Sequence, residues 1–185
     1  MTFVFLGLIG LVALMAVFAY NSLVKLRNNR ENAFSDIDVQ LKQRYDLIPQ
    51  LVDAVKGYMT HEREVLERVT QARTAAMSAQ TMTDKIAADG QMSSALGRLM
   101  IASEAYPDLK ANSSFTHLQQ EIADMENKLA AARRYFNNAT KELNNSIETF
   151  PSNLVAGAFG FRKEPMFELG GEQRQVMEER PQIKF

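Results

Sequence analysis

FTHLQQEIADMENKLAAARRYFNNATKELNNSIETF, residues 115–150, carries apolar or small side chains at Phe115, Leu118, Ile122, Met125, Leu129, Ala132, Phe136, Ala139, Leu143, Ser146 and Phe150. The steps alternate three and four without a break, the period of an α-helix that buries one stripe. Asn112, Ser113 or Ser114 can cap its start, and Pro151 stops it after about ten turns. A helix this long needs partners along its whole seam, so the rest of the chain must be read for them.

Upstream, Phe34, Ile37, Leu41, Tyr45, Ile48, Val52, Val55 and Met59 repeat the pattern, with a charged outer face. Pro49 removes the bond to the Tyr45 carbonyl, which predicts a bend, because the apolar phase survives it. Residues 77–94 (MSAQTMTDKIAADGQMSS) dilute the pattern and read as a loosely helical turn region. A shorter helix carrying Leu96, Leu99, Met100, Ser103 and Tyr106 follows, and Pro107 marks its end. No strand pattern of any length occurs. The fold class is therefore all-α, a long antiparallel three-helix bundle with core positions Ile37, Leu41, Ile48, Val52, Leu118, Ile122, Leu129, Phe136 and Leu143. Helices of unequal length should leave seams uncovered, and neighbouring copies are the cheapest cover.

The N-terminus is different in kind. From Phe3 to Tyr20 the chain reads FVFLGLIGLVALMAVFAY without a charge, about the length that crosses ~30 Å of hydrocarbon as a helix. No Lys or Arg precedes the run, as a cleavable signal peptide would require, so it reads as a retained anchor. Lys25, Arg27 and Arg30 follow it, which predicts a single-pass helix with its N-terminus outside and the bundle in the cytoplasm. Within the anchor, marked by Phe3 and Tyr20, the residues Gly7, Gly10, Ala13, Ala16 and Ala19 form a small-residue ridge. Another helix could approach there, although Gly and Ala are also simply common in membrane helices. The organisation is thus anchor 1–24, helical bundle 25–151 and C-terminal tail 152–185.

Composition excludes several functions. The 185 residues contain no Cys, which removes disulfides, thiolate metal sites and cysteine nucleophiles. Twenty-one Lys+Arg balance 22 Asp+Glu, giving a net charge of −1, not the basic excess of a nucleic-acid binder. His61-Glu62 begins a zincin motif that fails at Val65, and the other histidine, His117, lies on a different helix. Asp36, Asp38, Asp46 and Asp53 sit beside Lys42, Arg44 and Lys56, the spacing of a solvated helix face. There is no Gly-rich phosphate loop and no nucleophile elbow. The expectation is a non-enzyme with no catalytic residues, no metal and no cofactor.

Two further features ask for a role. Asn137-Asn138 and Asn144-Asn145 lie one heptad apart beside the seam, either as a solvated face or as a polar ladder to a neighbouring subunit. In the tail, SNLVAGAFGF is followed by Arg162-Lys163, then Met166-Phe167. Phe159, Phe161 and Phe167 are candidate contacts to a subunit or to lipid. Beyond Gly170-Gly171 the chain turns polar, and flexible unless a neighbour orders it.

YNSLVKLRNNRENAFSDIDVQLKQRYDLIPQLVDAVKGYMTHEREVLERVTQAR (20–73) resembles the first half of the LemA family of bacterial membrane proteins, and LGRLMIASEAYPDLKANSSF through SNLVAGAFGF (96–161) is similar to its second half. The chain departs from that pattern at Met166-Phe167, where two aromatics are frequent, and at Leu143, where a tyrosine is. The resemblance implies a single anchor in the bacterial inner membrane and an antiparallel cytoplasmic helical bundle, and it carries no activity over. Two function classes remain. One is a non-enzymatic scaffold that self-assembles into a homo-oligomer and organises the lipid bilayer or partner proteins. The other is a monomeric or small-oligomer adaptor whose groove takes a peptide or helix of another protein.

Overall fold

A computed structural model describes residues 1–167, and the polar end of the tail lies outside them. The described residues are all-α, without a strand. They form α1 (Thr2–Lys56), α2 (Arg63–Ser78), α3 (Met82–Ser103), the single turn α4 (Pro107–Lys110), α5 (Ser113–Glu148) and α6 (Ser152–Ala158). Two compact units result, one from residues 1–37 with 130–167 and the other from residues 38–129. Helices α1 and α5 each contribute to both.

The second unit is an up-down-up-down bundle, and its cross-links give the directions. Arg73 of α2 reaches back to Tyr45 of α1, Tyr58 just beyond α1 meets Asn112 just before α5, and Met100 of α3 meets Gln119 of α5. On α3, Lys85 pairs with Asp38 while Asp89 and Ser93 take Arg44, so α3 runs parallel to α1. Four helices line this unit where three were expected, because α1 ends at Lys56 and α2 starts at Arg63. The apolar phase conceals that break. Met59 keeps the seam spacing and is fully buried, yet it sits in the turn. Lys56 followed by Gly57 is the stop signal that the phase outweighed.

Residues 82–94, read as a loosely helical turn, are regular α3. Thr81 caps them, its Oγ1 accepting from the Asp84 amide at 3.1 Å. Ala88, Met92, Ala95, Leu96 and Leu99 form the buried stripe. Its two alanines are matched by small side chains on α2, where Val69, Ala72 and Ala76 are buried, and the two helices pack against each other. Asp89 lies in the same stripe beside a partner, Arg44, which is only 3% exposed. Arg44 Nη1 donates to Asp89 Oδ1 and Nη2 pairs with Glu126 Oε2, each at 2.9 Å, and Ser93 Oγ accepts from both nitrogens. The expected solvated face therefore fails at this residue. Asp38 likewise pairs with Lys85 across the unit, whereas Asp53 with Lys56 forms the expected local surface pair.

Pro49 lies inside α1, which stays helical through it. The carbonyl that loses its helical donor there, Tyr45 O, accepts from Arg73 Nε at 2.9 Å. The defect in one helix thus becomes a docking point for the next.

Of the expected core, Ile37, Leu41, Ile48, Leu118, Ile122, Leu129, Phe136 and Leu143 are buried, and Val52 is half-buried. Along α5 every seam position from Phe115 to Ser146 is buried or half-buried within the chain. Uncovered bundle seams were expected, and only Phe150 of that series stands exposed.

Candidate functional site

The first unit pairs α1 and α5 antiparallel. Leu23 clusters with Leu143, Arg30 bonds Thr140, and Phe34 stacks at 5.7 Å on Phe136. After α5, α6 folds onto this pair, placing Ala156 in the Leu23–Leu143 cluster with Leu26, Ile147, Val155 and Phe161 around it. Helix α6 ends in a Schellman turn: the Phe161 amide donates to the Ala156 carbonyl at 2.9 Å across Gly160, whose φ of 75° is left-handed. That turn sends residues 161–167 back along α5.

There the asparagines hold the chain. Asn144 Nδ2 donates to the Glu164 carbonyl and its Oδ1 accepts from the Glu164 amide, both at 2.9 Å. Seven residues earlier, Asn137 Nδ2 donates to the Phe167 carbonyl at 3.0 Å and its Oδ1 accepts from the Phe167 amide at 2.7 Å. The spacing is geometric. Two turns of helix advance ~10.5 Å, and three residues of extended chain cover about 9–10 Å, so an i,i+7 amide pair matches an i,i+3 pair of extended residues. Pro165 helps by holding Glu164 in the extended region and by bringing no amide that needs an acceptor.

Arg30 completes the clamp. It is 7% exposed and its Nε donates to Thr140 Oγ1 at 3.1 Å. Its Nη2 donates to the Pro165 carbonyl at 3.2 Å and pairs with Glu164 Oε2 at 3.3 Å, while the guanidinium lies 4.9 Å from the centre of the Phe136 ring. Thr140 can accept because its own hydroxyl donates to the Phe136 carbonyl. At the end of the run, Phe167 is 7% exposed beneath the Arg133 guanidinium, 4.9 Å from its ring centre.

These placements correct two expectations. Phe167, a candidate subunit or lipid contact, is covered by its own chain. Asn137 and Asn144 form a polar ladder, but to the chain's own tail, and Asn138 and Asn145 remain exposed. Arg30, counted among the flanking charges, is interior, whereas Lys25 and Arg27 are exposed. Phe161 is half-buried between Tyr20, 6.0 Å away, and the Arg27 guanidinium at 5.4 Å, and Phe159 stacks on Tyr20 at 4.8 Å. Sequence reasoning missed Arg30, Thr140 and Glu164 as one site. Their one signal was a glutamate before a proline, which has no partner until the tail is known to return.

In the apolar run Phe3, Gly7, Gly10 and Ala13 are exposed and Ala16 is half-buried, with nothing near a Cβ built at either glycine. No residue of the candidate span within α1 is buried. His61 is exposed, and His117 lies 3.5 Å from Glu121 on the surface of α5. Among the described residues no three His, Asp or Glu side chains gather as metal ligands.

A bare apolar helix continuous with polar helices that pack among themselves defines the class, an all-α membrane protein with one candidate span at its N-terminus. Within that class the chain belongs to the LemA family, which it matches over residues 33–185. It is 31% identical over 153 residues to Protein LemA of Metamycoplasma hominis, an alignment covering 82% of this chain and 70% of that protein. It is 24% identical over 191 residues to Magnetosome protein MamQ 1 of Paramagnetospirillum magneticum, covering 88% and 70%, and 23% identical over 190 residues to MamQ of Magnetospirillum gryphiswaldense, with the same coverage.

Proposed function

We propose that this chain is a non-enzymatic, membrane-anchored helical protein that self-assembles and organises the membrane or partner proteins. Its bundle faces the cytoplasm of a bacterium and its N-terminus lies outside the inner membrane. The observation that carries the reading is α1, whose first part exposes Phe3 to Phe18 to a surrounding that must be apolar, while its later part is a bundle core helix. The relatives' names denote no reaction, and the interior polar groups described above serve packing: Arg44 ties three helices and Arg30 ties the tail. Self-assembly draws support from the open ridge at Gly7, Gly10 and Ala13.

Sizing of the full chain in mild detergents and in nanodiscs tests the assembly, with a large closed particle expected and a monomer in every condition overturning it. For orientation, a cysteine at Thr2 should react with an impermeant maleimide in intact cells and one at Ser152 should not. The reverse pattern refutes the topology. One observation favours an adaptor instead. An open cleft of about 980 Å³ between the end of α1 and α2 is lined by Val52, Met59, Leu66 and Ala75, a shape suited to a guest helix. A monomer that cross-links to another protein through Leu66 would put that reading ahead.

A further inference from the structure

Around α6 the first unit leaves large apolar side chains uncovered. Phe150 is 74% exposed, Leu154 65% and Phe159 63%, while Val155 and Ala156 of the same short helix point inward. This surface has a fixed address. Phe159 and Phe161 both lie on Tyr20, at the end of the apolar run Phe3 to Tyr20, and Ala156 packs on Leu23, one turn further along α1. If residues 3–20 fill the hydrocarbon, Tyr20 stands at headgroup level, where aromatic rings concentrate. Phe159, 4.8 Å from it, stands at the same depth. The next seven residues of α1, to Arg27, climb only ~10.5 Å, roughly the thickness of the headgroup layer and its margin. Cations ring the patch: Lys25, Arg27 and Arg162 are exposed, and Lys163 is shared with Glu148.

We infer that α6 and its flanks are a second membrane contact, in which Phe150, Leu154 and Phe159 enter the interface between phospholipid headgroups and acyl chains beside the anchor. The inference rests on the reading of residues 3–20 as a span. A lipid surface is favoured over a second copy because the patch is continuous with the anchor through Tyr20. It also has the composition of an interfacial segment, apolar on one side and bordered by cations that can meet phosphate. Its effect would be to fix the first unit against the bilayer, so that the anchor cannot swivel freely.

The chain contains no tryptophan, so one introduced residue is a unique reporter. Leu154→Trp, Phe159→Trp, Val12→Trp and Tyr135→Trp are made in the full chain and placed in nanodiscs of phosphatidylcholine and phosphatidylglycerol. The lipids are either plain or brominated near the headgroup end or near the terminus of the acyl chain. At positions 154 and 159 emission should be blue-shifted and fall about twofold with bromine near the headgroup end, as expected for side chains ~5–10 Å into the boundary. Deep bromine should quench position 12 most, and Tyr135, which pairs with Asn29 well beyond the apolar run, should report water. Red, unquenched emission at 154 and 159 overturns the inference, and so does blue but unquenched emission, which means that protein covers the patch. An unquenched position 12 instead refutes the span, and the inference falls with it.

Discussion

The two units are fastened by different chemistry. Residues 38–129 are tied by side chain to side chain, with Arg44 inside a ring of Asp89, Ser93 and Glu126 and Lys85 on Asp38. The unit of residues 1–37 and 130–167 is tied at its tail mainly by side chain to backbone, with four hydrogen bonds from the Asn137 and Asn144 amides and one from Arg30, beside the Arg30–Glu164 ion pair. An ionic ring demands its own partners, and losing one leaves charge in the interior. An amide that reads backbone asks only that the chain be extended. The first kind of fastening specifies which helices meet; the second holds a segment with little regard to which side chains it carries.

The largest expected effect tests the ionic side. Arg44→Met strips Asp89 and Glu126 of their guanidinium and should destabilise residues 38–129 by about 3–5 kcal/mol in thermal or denaturant melts. Arg44→Met with Asp89→Leu should recover most of it. If the double variant is as damaged as the single one, the cost was packing rather than charge.

The clamp should break locally. Asn144→Ala removes two bonds to the Glu164 backbone and should weaken the tail by about 1–3 kcal/mol. Hydrogen exchange of the Glu164 and Phe167 amides reports it, expected to speed up while amides of α3 keep their rates. Asn138→Ala and Asn145→Ala should leave both amides protected. Uniform loss of protection throughout the chain would mean that the two fastenings are one cooperative structure.

A smaller effect sharpens the comparison inside residues 38–129, where the Arg73 side chain of α2 bonds the backbone of α1 at Tyr45. Arg73→Leu should cost about 1–1.5 kcal/mol in the presence of Pro49. In a Pro49→Ala background, where an amide is again available to the Tyr45 carbonyl, the cost should shrink by roughly half or more. Additive effects would disconnect the arginine from the helix defect. Smallest of all, Glu64→Ala should change stability by no more than about 0.5 kcal/mol, since its pairing with Arg68 is an exposed i,i+4 contact on α2.

Large side chains at regular spacing made much of this fold readable. The stripe from Phe115 to Leu143 placed α5 nearly to its ends, and Asn112 does cap it, its Oδ1 accepting from the Ser114 and Phe115 amides. Helix α3 was hidden because its buried stripe mixes two alanines, an aspartate and a serine with its larger apolar residues. By size and polarity such a stripe resembles a loop until Arg44 is known to face it. The break after Lys56 was hidden for the opposite reason, a methionine that keeps the phase across a turn. Of the tail clamp the sequence offered only two asparagine pairs one heptad apart. Their purpose depends on a segment returning from 20 and 30 residues downstream, which no local pattern encodes.

Arg30 belongs to two moments in the life of the chain. On the proposed topology, Arg30 is made before Glu164 and stands ten residues past Tyr20 as a positive charge that would help to orient the anchor. At about 5–20 residues per second its counter-ion follows some ten seconds later. The finished protein then retires that charge into its interior beside Thr140 and Phe136. If the proposed topology holds, one residue serves as a signpost during biosynthesis and as a rivet afterwards, and a charge count taken on the folded molecule would miss the first of these.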